Sequence, residues 1–594
     1  TTDGSPPTDA SGLIYTDGIL INSNRVIRAA AFRSNALPSR VDTHTYLVGL
    51  SATRLRLPAL SLVTATNHLY GRNGIMEINP RNTTKRGAAW ERPVSAELIR
   101  VEDNGGFQVD CGLRLQGGDY VRGQYNYRNT SLPFSKYSFR LYFRGEYGQA
   151  RLEYPWFPET TQRSFDTVVL RAGMNDHSNP YIIDEFVRTL ARDCGQPAPV
   201  GTFVHLFLNG IYKGYYNPCE RVDTDFLRAY HGGGETWDLM AQAGEVREGD
   251  ATAWNALRNL VNTRDLTLPA NYRDIESRLD VTNFIDYLCP LIYVDNDDWP
   301  HNNWRAARER APGGRYRLYV WDAEWAFGFQ NGHTPTWDTI RNQLSSTSPQ
   351  WGSTEIQRLY VGLRKAPEFR MLFADRAHRH FFNGGPLTDE RIRARYAEVT
   401  NRLNGVISGF NNRIGSTWIP QRRRNVLLHL ERAGLLASSN APAFSRHGGR
   451  LPAGFNLTIT NLQGTIYYTT NGADPRTPFT GEVTPGALTY TAPLVLTHSL
   501  LLRARTLTGT NWSAITEAGF EINRVEPALQ FSEIHYRPQG GDAFEFIELA
   551  NVGNLPADVA GYSLDGVTFR FPTPFPPVPP GSRLVLANNN APAQ

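Results

Sequence analysis

With 594 residues, the chain is too long for one core and predicts three to five domains of roughly 100–200 residues each. A 40% hydrophobic and 11% aromatic content excludes a largely disordered chain, and a net charge of +4 without a dense Lys/Arg tract excludes a nucleic-acid footprint. No apolar run reaches the ~18 residues of a membrane span, and no signal peptide is legible. The basic triplet Arg422–Arg424 reads as a solvated helix face. The cysteines Cys111, Cys194, Cys219 and Cys289 lack zinc spacing and are either free buried thiols or one or two disulfides of a secreted protein.

An internal repeat opens the chain. Residues 1–48 and 469–522 share one order of elements: a Thr-Thr-Asp-Gly or Thr-Thr-Asn-Gly turn, a short apolar strand pair, then Ser39 or Ser513 and a last strand. Both copies resemble the β-sandwich module at the C-terminus of chitobiases and β-hexosaminidases. The second copy has an opening strand, Gly464–Tyr468, that the first lacks, so the chain reads as beginning inside a module. Residues 528–594 resemble a lamin-tail module, an immunoglobulin-like β-sandwich, without its last strands. The chain is therefore expected to be part of a longer polypeptide.

The central residues are of mixed character. Alternating apolar and polar positions predict strands at Phe107–Asp110, Leu113–Leu115 and Ser138–Phe143. Asp280 is placed to cap a helix whose apolar face is Val281, Phe284, Ile285, Leu288 and Ile292. Residues 315–320 read as a half-buried strand, with Tyr316, Leu318 and Val320 inward and Arg315, Arg317 and Tyr319 outward. Residues 387–437 are helical again. This order suits an α+β body with a cleft between lobes.

The chemistry concentrates after the capped helix. Asp295, Asp297 and Asp298 fall within four residues, and like charges so close raise one another's pKa unless a cation sits among them. Oxygen ligands of this kind suit Mg²⁺ or Mn²⁺. Asp298 and Asn303 have the Asp-x₄-Asn spacing of a kinase catalytic loop, in which the Asp takes the hydroxyl proton and the Asn holds a metal. The strand at 315–320 ends on Trp321-Asp322-Ala-Glu324, where Asp322 is placed as a second metal ligand. The bland alternative for each segment is a surface loop rich in aspartate.

These segments resemble the CotH (spore coat protein H) family of secreted atypical kinases. The likeness rests on Asp298-Trp-Pro-His-Asn-Asn-Trp304, on Trp321-Asp-Ala-Glu324, on Asn209-Gly-Ile-Tyr-Lys-Gly-Tyr-Tyr-Asn-Pro-Cys-Glu220, and on Lys136-Tyr-Ser-Phe-Arg140 with Tyr147-Gly148. Asn175–Ser178, ahead of a helix expected at Ile183–Leu190, belongs to it too. The resemblance, over about residues 50–440, implies that Lys136 contacts nucleotide phosphates and that Glu220 pairs with that lysine or helps hold metal. It makes Asp298 the catalytic carboxylate, Asn303 a metal or loop-positioning residue, and Asp322 the main metal ligand with Glu324 beside it. Arg140 and the turn Gly117-Gly118 would serve the nucleotide; double glycine in a β-turn is also an ordinary structural device. Asp119 and Tyr120 replace the serine often found near that turn, and Glu324 stands where aspartate is common. His177 and His301 read as structural.

The expectation is therefore an α+β, two-lobed atypical protein-kinase-like domain flanked by small all-β immunoglobulin-like sandwich modules. Its parts are a partial chitobiase-like module (1–48), a kinase-like domain (49–440; mostly β over 49–165, mixed and helical over 166–440), a second chitobiase-like module (441–525) and a partial lamin-tail-like sandwich (526–594). The implied activity is transfer of phosphate from ATP to a Ser/Thr hydroxyl of a protein, with Mg²⁺ or Mn²⁺, by a secreted or surface protein of bacterial type. Its partners would be a protein substrate or other cell-surface proteins, with no nucleic acid and no membrane span in this segment. A pseudokinase or adhesive structural protein using its β-modules is the chief rival. A carbohydrate-active site built on Asp298 and Asp322 is a weaker one, since accessory modules do not confer function.

Overall fold

Two short, mostly apolar stretches meet in the first sheet. Ala59–Val63 and Val204–Leu208 are buried along their whole length and pair in parallel. Strands covered on both faces need such near-continuous apolar runs. Their pairing closes a seven-stranded barrel that runs Ala59–Val63, Arg92–Ile99, Gly106–Leu115, Phe139–Tyr142, Thr167–Arg171, Ile211–Cys219, Val204–Leu208. The expected strands at 107–110 and 113–115 are one continuous strand, and its inward residues Val109, Cys111, Leu113 and Leu115 join the barrel core.

This computed structural model describes all residues except 101, 104, 130–133, 161, 175–181, 347–352, 408–409, 524–527 and 588–594. The segment Asn175–Ser178 lies outside the described residues. The chain divides into two units, 1–437 and 438–594. In the first unit a four-stranded antiparallel sheet, ordered Val246–Glu248, Trp237–Ala241, Trp304–Glu309, Arg317–Val320, follows the barrel. Helices Ile183–Asp193, Thr224–His231, Val281–Val294, Pro367–Phe381, Asp389–Asn401 and Ile419–Arg432 accompany it. The fold is therefore mixed α+β. No helix among the described residues is long and apolar enough to cross a membrane.

One inward–outward assignment fails. Tyr319 is as buried as Leu318 and Val320. Helix Thr224–His231 covers that face: His231 Nε2 lies 2.8 Å from the Tyr319 hydroxyl, and the Phe226 ring meets it edge-on. A single strand cannot reveal that its polar-looking face has a helix above it. The four cysteines are buried free thiols.

In the second unit, strands Gly449–Pro452, Thr516–Asn523, Leu500–Thr508, Thr465–Thr469 and Leu488–Thr489 form one sheet, and Phe455–Leu457 pairs with Leu494–Leu496. The repeat is structural as well as sequential. Arg25–Ala29 pairs with Asp42–Tyr46 in the order Arg25↔Tyr46 to Ala29↔Asp42, as Leu500–Ala504 pairs with Thr516–Phe520. A separate three-stranded sheet (Leu529–His535, Phe546–Asn551, Arg583–Ala587) carries its own small core around Leu549, Val559 and Phe571.

Candidate active site

Helix Val281–Val294 delivers the first carboxylates. Asp280 caps it by accepting from the Asn283 amide at 3.0 Å. At the other end Arg422, expected on a solvated face, is fully buried. It donates to Ile292 O at 2.6 Å, Tyr293 O at 2.8 Å, Pro335 O at 3.0 Å and Trp337 O at 2.6 Å. A cation against the last carbonyls of a helix is favourable, because those groups lack intrahelical partners and sit at the negative end of the macrodipole. The helix stops where Asp295 turns left-handed, with φ 54°.

The three aspartates that follow do not form one cluster. Asp295 is buried and accepts from Thr339 Oγ1 and His333 Nδ1, each at 2.9 Å. The Asp297 amide donates to Trp325 O at 3.0 Å. Asp298 points elsewhere and accepts from Asn303 Nδ2 at 2.8 Å and Asn302 Nδ2 at 3.3 Å, with His301 Nε2 3.1 Å away. Trp299 is buried and donates to the Tyr287 hydroxyl, pinning the loop to the helix. Asp298 thus has partners of its own, whereas Asp295 and Asp297 share His333, whose Nδ1 lies 2.9 Å from the first and 3.8 Å from the second. Among the described residues no group of three or more His, Cys, Asp or Glu is arranged to hold a metal.

Asn303 and Asp322 are brought to the same end of one hairpin. Trp304 pairs with Val320, so the residues before 304 and after 320 leave the ladder together. Both take left-handed backbone, φ 55° and 57°, as does Phe327 at 61°. Asn and Asp tolerate this region better than other side-chain-bearing residues, and such outliers gather at functional sites. The segment after Asp322 is tied down by Ala323 N to Asp184 Oδ1 at 2.8 Å and by Phe327 N to Val294 O at 2.7 Å.

Asp322 and Glu324 share a cation that the sequence did not announce. Arg171 Nη2 reaches Asp322 Oδ1 at 2.5 Å and Glu324 Oε1 at 2.6 Å, and its Nε faces Asp184 Oδ2 at 3.1 Å. Arg188 also holds Asp184. Burial raises the Glu324 pKa more than Arg171 lowers it. For Asp184 the balance reverses: burial is outweighed by Arg171, Arg188 and the Ala323 amide, and the pKa falls below the usual carboxylate range. An oxygen pair, one member of it well exposed, suits Mg²⁺, which is commonly held by one or two carboxylates plus substrate phosphates. The residues present fit such an ion as a pair: Asp322 and Glu324 would hold it.

The barrel residues divide. Lys136 Nζ lies 4.5 and 4.8 Å from the ring centroids of Tyr215 and Tyr216. Those two tyrosines line a small cleft together with Arg171, Asp184 and Glu324, so Lys136 borders the site. Glu220 does not pair with it. Glu220 Oε2 accepts from the Val200 amide at 2.8 Å and the Tyr230 hydroxyl at 2.9 Å, while Oε1 is buried with no hydrogen-bond partner. Burial pushes its pKa up to about 7, and Arg221 takes Asp223 instead. The expected Lys136–Glu220 pair is therefore corrected: a strand-end carboxylate packed under helix Thr224–His231 is turned away from the lysine.

Arg140 donates to Gln116 Oε1 at 3.0 and 2.5 Å, and burial lowers its pKa to about 10. Gly117 has φ 127°, and Gly118 opens the short helix Asp119–Gln124, with Asp119 paired to Arg86 at 2.5 Å. No contact joins Arg140 or the two glycines to Asp298 or Asp322. Tyr147 donates to Glu91. Arg171, Asp184 and Arg422 were missed. Each acts across long sequence separation, and only the position of Arg171 at a strand end hinted at a role.

Comparison with known families bears on the same residues. Residues 1–46 and 455–520, the two repeated segments, match the family described as Fn3 associated. No curated protein matches the chain. Residues 120–415, which contain Lys136, Arg171, Glu220, Asp298, Asn303, Asp322 and Glu324 but not Gly117 or Gly118, match the family described as CotH kinase protein.

Proposed function

We propose that this domain transfers phosphate from ATP to a Ser/Thr hydroxyl of a protein, with Mg²⁺ or Mn²⁺ as the metal. The observation that carries the reading is the division of labour across one hairpin: an amide-held Asp298 ahead of its first strand and a cation-paired Asp322 after its second. In this reading Asp298 accepts the hydroxyl proton. Asn303 fixes the orientation of that carboxylate by donating to Oδ2, and Oδ1, which faces Asn302 and His301, is the oxygen that takes the proton when the hydroxyl displaces them. Asp322 and Glu324 hold the metal, and Lys136 is the positive charge for the phosphates. A bound divalent ion would supply neutralisation of charge on the transferred group; positioning does the rest.

A two-lobed arrangement, chitobiase-like and lamin-tail-like sandwiches, and a secreted or surface location belong to this proposal. So do partners among other cell-surface proteins. The Arg171 contact favours a second reading, a pseudokinase in which a guanidinium has replaced the metal.

Thermal unfolding with ATP, with and without Mg²⁺ or Mn²⁺, separates the two. A metal-dependent rise in Tm that disappears in Asp322→Asn supports the kinase. No rise with any nucleotide favours the pseudokinase.

A further inference from the structure

Arg171 stands where the kinase reading puts a cation. It is the last residue of the strand Thr167–Arg171, and its side chain is only 12% exposed. One nitrogen, Nη2, serves both Asp322 and Glu324, so the two carboxylate oxygens face each other across it. Burial works against the charge, but Asp184, Asp322 and Glu324 overcome it and hold the Arg171 pKa well above its ordinary value. The guanidinium is also braced from behind. Asp184 binds its Nε, is itself gripped by Arg188, and accepts from the Ala323 amide that lies between the two acidic residues.

We propose that Arg171 is a resident counter-cation that makes metal loading at Asp322 conditional on nucleotide. This inference rests on the reading of Asp322 as the metal-holding carboxylate. A bare divalent ion has to displace the largely buried guanidinium from Asp322 Oδ1, and giving up one of its three carboxylate partners, with Asp184 and Glu324 left, is costly. A nucleotide-bound ion arrives with phosphate oxygens. These complete the ligand set of the metal and offer Arg171 a new anion in the cleft it shares with Tyr215 and Tyr216. Arg171 is a positioning residue here, acting on the metal through Asp322 and Glu324.

The test is Mn²⁺ binding to the full chain, followed by the electron paramagnetic resonance signal of the free ion. Without nucleotide, Arg171→Gln is expected to bind Mn²⁺ at least tenfold more tightly than the unsubstituted protein, and Asp322→Asn in that background is expected to abolish the gain. A non-hydrolysable ATP analogue should tighten Mn²⁺ binding in the unsubstituted protein and much less in Arg171→Gln, because the coupling between the two ligands runs through Arg171. Arg171→Lys keeps the charge and yields a gain of a few fold, which serves if the glutamine variant does not fold. Folded Arg171→Gln, or failing that folded Arg171→Lys, binding Mn²⁺ no more tightly than the unsubstituted protein overturns the proposal. The Mn²⁺ gain through Asp322 without an ATP-induced Tm shift in the unsubstituted protein would defeat the kinase reading and overturn the dependence on nucleotide, while still identifying Arg171 as the counter-cation of Asp322.

Discussion

Asp298 and Asp322 flank the same two strands, yet the chain supports them by opposite means. Asp298 is partly exposed and held by neutral amides from Asn302 and Asn303, with His301 beside it. Asp322 is tied to a buried guanidinium that it shares with Glu324. An amide orients a carboxylate without cancelling its charge, which leaves it able to take a proton. A fixed cation cancels charge and preorganises the oxygens for something else positive. In the proposed reading, proton handling falls to one side of the hairpin and charge storage to the other.

The sharpest break in that contrast would come from exchanging each carboxylate for its amide. Asp298→Asn is expected to lower turnover by ~10²–10⁴-fold while the ATP-and-metal Tm shift persists. Asp322→Asn is expected to remove the shift itself. Loss of the shift in both variants would mean that the two sides do one job.

Next in size is the floor beneath both loops. Arg422→Met strips four carbonyls of their donor and should lower the unfolding free energy in urea by about 3 kcal/mol. Exposed Arg424→Met, two residues away, should change it by less than about 0.5 kcal/mol.

Glu220 offers a third kind of support, a buried carboxylate with an amide and a phenol but no cation. Its folded-state pKa, about 7, lies above the model-compound value of 4.5. The folded state therefore holds the extra proton between those values, so stability falls as pH rises from 4.5 to 7 and levels off above. Glu220→Gln should flatten that slope and be more stable than the unsubstituted protein at pH 8, by on the order of 3 kcal/mol. Thermal melts across pH 4–8 would show an unchanged slope if Glu220 is not its source. A small effect on the fold is expected from Lys136→Met, at most about 1 kcal/mol from lost cation–π contact. The ATP-induced shift should nevertheless shrink, and an unaltered shift would remove Lys136 from the site.

Much of this was legible locally. The cap at Asp280, the run of the helix to Val294, and the Asp298–Asn303 contact all follow from spacings of a few residues, which a sequence displays directly. What stayed hidden acts over distance. Arg171 meets Asp322 across 151 positions, and Arg422 meets Ile292 across 130, with no periodicity to mark either pair. The basic triplet misled because charge alone does not say which side of a helix is covered: Arg422 is buried and Arg424 exposed. Tyr319 misled for the same reason, a helix lying over a strand face that its alternation marked as outward. Glu220 sits in the motif that suggested it, but the helix that follows supplies Tyr230 and turns it from Lys136.

The repeated hairpin has a practical side. In the copy at 449–523, Leu494–Leu496 has a partner strand at Phe455–Leu457, and Leu496 is buried in a core. Next to it Val495 is 60% exposed, and Leu20, which takes the place of Val495 in the copy at 1–48, is 78% exposed. Bare apolar side chains beside an open strand edge are adhesive. In concentrated solution such positions are where molecules stick to one another, and a lysine at position 20 would be a simple aid to keeping the protein dispersed for every titration described above.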